Sequence, residues 1–297
     1  MLINSSFFPL FEKVIQLLPQ LEMLEATSDV LMILLGDSRI SGLERSVANH
    51  LYPILITMNP KLLESIQEED EEFILPFCKL ICKFAEVFAT FLIEGLPGTK
   101  PFMDMLLACT AYPALYPSNP DISEIPLYFW FTFESEIETT NELRPSKYND
   151  QVIQMAHEIL FQVLSILVNQ AKYPLDSVVA GWSKDALDRF KGHRRECGDT
   201  ALYCYYALEE RALFQVVNGI TMEMQFLSQD VNSGTQLLET LIFHLKSFAE
   251  SISSDEDQYI PMIFQQEALQ FLVSIAQSKR DGAALLRMTL ASTIGNY

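Results

Sequence analysis

Apolar residues recur at three- and four-residue spacing in segment after segment of this chain, and strict alternation is almost absent. That period belongs to amphipathic helices, not to strands. It predicts helices over 4–18, 21–35, 42–58, 71–94, 101–111, 123–143, 150–172, 184–208, 210–228, 235–252, 258–277 and 283–297, with ends placed to within about 2–4 residues. Helix-stopping residues separate them: Gly36, Asn59 with Pro60, Pro97 with Gly98, the Pro-rich 113–120 loop, Pro145, Pro174, and Ser233 with Gly234. Asn149 and Ser183 stand just before two of the runs, where a side-chain oxygen accepts from otherwise unpaired backbone N–H groups.

Short connections imply antiparallel neighbours. Taken two by two, the segments make about six pairs with a unit of roughly 40–47 residues, the length of HEAT and armadillo repeats. The expected fold class is therefore all-α, an α-solenoid of HEAT-like antiparallel helix pairs, with residues 1–297 forming a single array. No repeated sequence motif marks the period, so a globular helical bundle is the alternative.

Composition narrows the function classes. The 297 residues are 49% hydrophobic, with 11 Gly and 14 Pro, which argues against both disorder and a turn-rich β fold. Lys and Arg number 20 against 39 Asp and Glu, a formal net charge of −19. That field repels nucleic-acid phosphates and anionic lipid headgroups and favours a basic partner. The apolar runs at 30–35 and 127–133 fall far short of a bilayer span of about 20 residues, so no membrane crossing is expected. Residues 1–9 carry no cationic segment, and Pro9 and Glu12 interrupt the apolar run, which argues against a secretory signal. Cys78, Cys82, Cys109, Cys197 and Cys204 lie in apolar helical stretches, as reduced thiols of the cytoplasm or nucleus do.

Two stretches carry a family resemblance. The first runs from Met105 to Pro117 (Met-Leu-Leu-Ala-Cys-Thr-Ala-Tyr-Pro-Ala-Leu-Tyr-Pro) and continues through Leu127 to Ile137. The second is Phe190 to Thr200, followed by Tyr203-Cys-Tyr-Tyr. Together they resemble the importin-β (karyopherin-β) superfamily, in its importin-thirteen/transportin-SR branch. In the second stretch Phe190, Arg194, Asp199 and Thr200 agree with that branch's pattern, Lys191 and Glu196 are conservative, and His193 stands where the branch has tyrosine. Thr289 to Gly295 is a third, weaker match.

The resemblance implies a nuclear transport receptor moving between cytoplasm and nucleus. It would carry protein cargo on its concave face, exchange it through Ran-GTP, and pass Phe-Gly nucleoporins through apolar slots between outer helices. Helices 71–94, 123–143, 184–208 and 235–252 would form the inner wall. Family members are several times longer, so the resemblance implies an internal segment, and it puts Ran binding by this stretch alone in doubt. The apolar circumference of the first helix and of the last, with Leu285, Leu286, Met288, Leu290 and Ile294, agrees with that expectation. A HEAT-type scaffold without a transport role is the rival of a different class.

Candidate chemistry is sparse. Cys78 and Cys82 sit one helical turn apart, and His193 precedes Cys197 by one turn, but knuckle spacing is missing, so buried thiols are expected and no metal. His50, His157, His193 and His244 lie in no catalytic motif; no cofactor and no enzyme activity are expected. Glu134, Glu138 and Glu142 fall in one row at four-residue spacing. This row reads either as a solvated face or as an acidic ladder for a basic cargo, with nothing in the sequence to raise a carboxyl pKa. Arg189, Lys191, Arg194 and Arg195 are the one basic cluster; they either pair with Glu196 or Asp199 and stitch repeats, or meet an acidic partner. The acidic runs 68–72 and 253–257 read as solvated helix starts, the second with serines open to phosphorylation.

Overall fold

The computed structural model describes residues 4–37, 42–94, 99–113, 121–143, 150–249, 251–252 and 265–295. Among these the regular structure is helical and no strand is present. The helices are α1 (Asn4–Ile15), α2 (Leu24–Leu35), α3 (Glu44–Thr57), α4 (Asn59–Glu68), α5 (Glu71–Val87), α6 (Ala89–Ile93), α7 (Thr99–Thr110) and α8 (Asp121–Leu143). They continue as α9 (Asp150–Gln170), α10 (Asp176–Val179), α11 (Lys184–Leu208), α12 (Glu210–Gln229), α13 (Gln236–Phe248), α14 (Gln266–Ala276) and α15 (Ala283–Ile294). Contacts divide the chain into two compact units, 1–112 with 121–156, and 113–120 with 157–297.

In the first unit α2 packs on α5 and α5 on α8, with α7 also against α8. Of the helices expected on the inner wall, α5 and α8 stack side by side in this unit. Their core is aromatic: the rings of Tyr52, Phe84 and Phe102 lie 5.4–5.8 Å apart. Trp130, wholly buried, donates its indole N–H to Thr110 Oγ1 at 2.9 Å, which satisfies the one polar atom that its burial would otherwise strand. In the second unit α13 is central and packs on α11, α12 and α15.

Several long-range links here join residues about one repeat apart. Arg194 reaches Glu239 across 45 positions, Tyr205 reaches Ser251 across 46, and Gln215 reaches Ser165 across 50. The structural period is thus visible in the hydrogen bonds although no sequence motif repeats.

Local chemistry explains the ends. Asp70 caps α5 by accepting from the Phe73 N–H at 3.3 Å, and Ser183 caps α11 by accepting from Ala186 at 3.1 Å; Asn149 lies outside the described residues. Glu71 and Glu72 occupy the first turn of α5, where acidic groups complement the helix dipole. One residue, Glu209, reverses the chain between α11 and α12 with φ of 49°, a conformation that favours glycine. Arg280 closes the far end of α12, donating to the carbonyls of Leu227 at 2.9 Å and Asp230 at 2.6 Å. Gly282, at φ 78°, opens α15 where a Cβ would lie 3.0 Å from Thr235 Oγ1.

Three expectations are corrected. Asn59 with Pro60 follows the end of α3, as expected, but also begins α4, a helix that was not expected, because proline in the first helical turn loses no hydrogen bond and has its φ preset. The expected 71–94 helix divides at Phe88, whose φ of −117° and ψ of 25° leave the helical region. Finally, α9, 21 residues long, is by length and composition apolar enough to cross a bilayer, which the shorter runs had not suggested. Its Leu160, Val163, Leu164 and Leu167 are wholly buried. Ser165 on its exposed side accepts from Gln215 of α12 at 2.8 Å, so one face of residues 157–170 packs as core in the second unit.

Candidate partner-binding surfaces

On α8 the acidic row is uneven. Glu134 is 3% exposed, beneath an exposed Glu138. Burial, then the Glu138 charge, push the Glu134 carboxyl up to about 8, so it holds its proton at neutral pH and hydrogen-bonds to Glu138. The expectation that nothing raises a carboxyl pKa here is therefore wrong, because the i, i+4 row rolls its first member into the core. Glu136, off the row, accepts from Thr90 Oγ1 of α6 at 3.0 Å. The side chain of Glu142 lies outside the described residues.

The basic cluster on α11 also divides. Arg194 is buried, and its guanidinium donates to Glu239 Oε1 on α13 at 2.6 Å and to the Ala171 carbonyl at 3.1 Å. The same group lies over the rings of Phe243, 4.2 Å away, and Tyr173, 4.8 Å away. Glu239, with no exposed surface, also accepts from Thr289 Oγ1 at 2.5 Å. Arg194 thus joins adjacent stacked helices through Glu239, not through Glu196 or Asp199. Beside it His244 is buried, and burial, with the Arg194 charge, drives its pKa down to about 3, so it stays neutral.

Lys191 and Arg195 share a face of α11 with Arg194 and line a cleft of about 610 Å³ against α13, with the buried Arg194 at its base. Exposed Lys191 lies 3.6 Å from Asp188. Arg189 is exposed and does not line the cleft. Lys246 of α13 does, and sequence reading missed it because it sits a full repeat away from the α11 cluster.

A second, apolar depression of about 430 Å³ lies between α9 and α12, with Leu237 and Leu241 of α13 at its floor. Met222 and Phe226 stand on its rim, 62% and 50% exposed. Glu223, also lining it, has its carboxyl pKa raised by burial despite nearby Lys172.

All five cysteines are buried. Cys78 Sγ lies 4.0 Å from Cys82 Sγ and 3.7 Å from the Ile122 carbonyl, and burial pushes the Cys78 and Cys82 thiols up, which makes them poor nucleophiles. His193 approaches Cys197 Sγ at 3.6 Å. The acidic serine segment 253–257 lies outside the described residues.

No protein-family profile matches the chain. In fold, 97% of it superposes on 34% of a solved chain titled importin13 in its cytosolic state, with a TM-score of 0.69 at 18% identity. The fold is thus an α-solenoid of HEAT-type helix pairs. In sequence, Importin-13 of Homo sapiens and of Gallus gallus are each 24% identical over 214 residues, 71% of this chain and 22% of theirs. The mRNA transport regulator MTR10 of Saccharomyces cerevisiae is 22% identical over 256 residues, 82% of this chain and 24% of its own length. The chain is thus similar, in fold and in sequence, to members of the importin-β superfamily on the importin-13 branch. It spans about a fifth to a quarter of the length of these curated relatives.

Proposed function

We propose that this chain is a segment of a nuclear transport receptor that binds protein cargo on the concave face of one HEAT-repeat array over 1–297. It works by binding and not by catalysis, in traffic between cytoplasm and nucleus. The observation that carries the reading is the likeness to Importin-13 across 71% of the chain. Its partners are protein cargo, Phe-Gly nucleoporins and, for the whole receptor, Ran-GTP; the net charge of −19 opposes direct binding of nucleic acid or an anionic membrane surface.

The depression between α9 and α12 has the character that a phenylalanine ring requires: apolar walls, an aliphatic floor and few polar groups. Immobilised Phe-Gly nucleoporin is expected to retain the chain, and Met222→Glu with Phe226→Ser to weaken retention by about tenfold, as loss of apolar anchors does. Both side chains are on the rim, so the melting temperature should hold. A chain that does not bind the repeats at all is the HEAT scaffold instead.

For the acidic row, Glu138 and Glu142 are the members proposed to meet a basic cargo. Their replacement by Gln is expected to lower cargo affinity severalfold at low salt, where exposed charges are least screened. Unchanged affinity would make the row a solvated face.

A further inference from the structure

The cleft between α11 and α13 runs against the charge of the chain that contains it. The protein carries −19, yet Lys191, Arg194, Arg195 and Lys246 converge on this one depression, and Asp199 is the sole acid among the described residues that line it. The cations are not equivalent. Arg194 is neutralised by Glu239 at the base, and Lys191 lies loosely by Asp188. Arg195 and Lys246 close no ion pair among the described residues, although Lys246 is half-buried.

The base of the cleft is rigid. A Cβ on Gly198 would lie 2.9 Å from the Phe243 ring, so glycine is what lets α11 and α13 approach this closely. Arg194 is held there by Glu239, the Ala171 carbonyl and two aromatic rings. At the open end Tyr206 and Ser251 share a hydrogen bond of 3.2 Å. The cations therefore stand on a preformed frame, which lowers the ordering cost of a charged ligand.

We propose that this cleft receives a short acidic peptide segment of a partner protein, with carboxylates on Arg195 and Lys246 and the chain of the peptide along the Phe243 and Tyr206 wall. Two observations favour carboxylates over a polyphosphate. The surrounding field of −19 repels a densely charged strand over its whole length, whereas a short segment meets mainly the local cations. The cleft also offers few aromatic faces for bases, since Arg194 covers both the Phe243 and the Tyr173 rings and leaves only that of Tyr206. The proposal gives the receptor reading a second, opposite specificity beside the acidic row, and it assigns the partner's chemistry to a named pair of residues.

The test is fluorescence anisotropy of a labelled Glu/Ser peptide with the whole chain at low salt, beside an oligonucleotide of equal charge and, on the same protein, the Phe-Gly retention assay. Binding of the peptide is expected to fall about tenfold or more with Arg195→Glu plus Lys246→Glu. It should be kept by Arg195→Lys plus Lys246→Arg, and by Arg189→Glu outside the cleft. The melting temperature should not change, because neither side chain belongs to the Arg194–Glu239 pair. Equal peptide binding by the charge-reversed protein, or equal or tighter binding of the oligonucleotide at the same residues, overturns the proposal. Loss of Phe-Gly retention with peptide binding intact would instead remove the transport reading and leave the cleft assignment standing.

Discussion

Arg194→Met is expected to destabilise the chain by about 3–5 kcal/mol, the largest effect of any single surface-lining substitution here. Removing the guanidinium leaves Glu239, which has no exposed surface, as a buried carboxylate with only the Thr289 hydroxyl as partner. It also opens the α11–α13 contact where the guanidinium fills the space between Tyr173 and Phe243. The double variant Arg194→Met with Glu239→Leu should recover most of the loss, because an apolar pair of similar volume needs no compensating charge. Denaturant unfolding of the parent, both single variants and the double variant measures the coupling directly. A cost below about 1 kcal/mol for the single change would mean that solvent reaches the pair and that the helices are held by apolar packing alone.

Glu134→Gln is expected to stabilise the chain, and only at higher pH. The folded carboxyl titrates at about 8, above its ordinary value of 4.5, so between those values the folded state holds a proton that the unfolded state has released. The stability associated with the proton is fully present below about pH 4.5 and is lost as the pH rises towards 8. Gln is neutral with nearly the same shape and escapes that loss. The gain should be up to roughly 4 kcal/mol at pH 8 and fall below about 1 kcal/mol near pH 5. Melting temperatures of parent and variant across that range provide the check, and a gain independent of pH would show that Glu134 is not titrating. Glu138→Gln should produce a smaller gain of the same sign, because burial, which it leaves in place, is the larger cause of the shift.

The contrast between these two residues bears on the acidic row as a whole. At neutral pH Glu134 contributes no charge to a basic partner, so the attraction of α8 for cargo rests on Glu138 and whatever Glu142 adds. On α11 the same partition operates: Arg194 carries structure, while Lys191 and Arg195 remain at the surface with Lys246. In both helices one member of a like-charged cluster is drawn into the packing and the others are left for solvent or partner. The surfaces of α8 and of the α11–α13 cleft therefore carry opposite local charge although the chain is acidic overall.

The helical period, the stop residues and the Ser183 cap were legible in the sequence because each is local: the i, i+3, i+4 spacing and the cap hydrogen bond involve residues within one turn. So was the likeness to the importin-β superfamily, through Phe190, Arg194, Asp199 and Thr200. Local signals fell short where one residue serves two purposes, as Pro60 does in following the end of α3 and opening α4. What only the tertiary structure decided is how neighbouring repeats use their charges. Glu239 is 45 positions from Arg194, and Lys246 meets the α11 cluster from the next repeat. The burial that lifts the Glu134 pKa depends on how α8 is turned against its neighbours. A charge row on a helix has the same spacing whether it faces water or core; helix packing sets the desolvation, and desolvation separates a structural charge from one left free to bind.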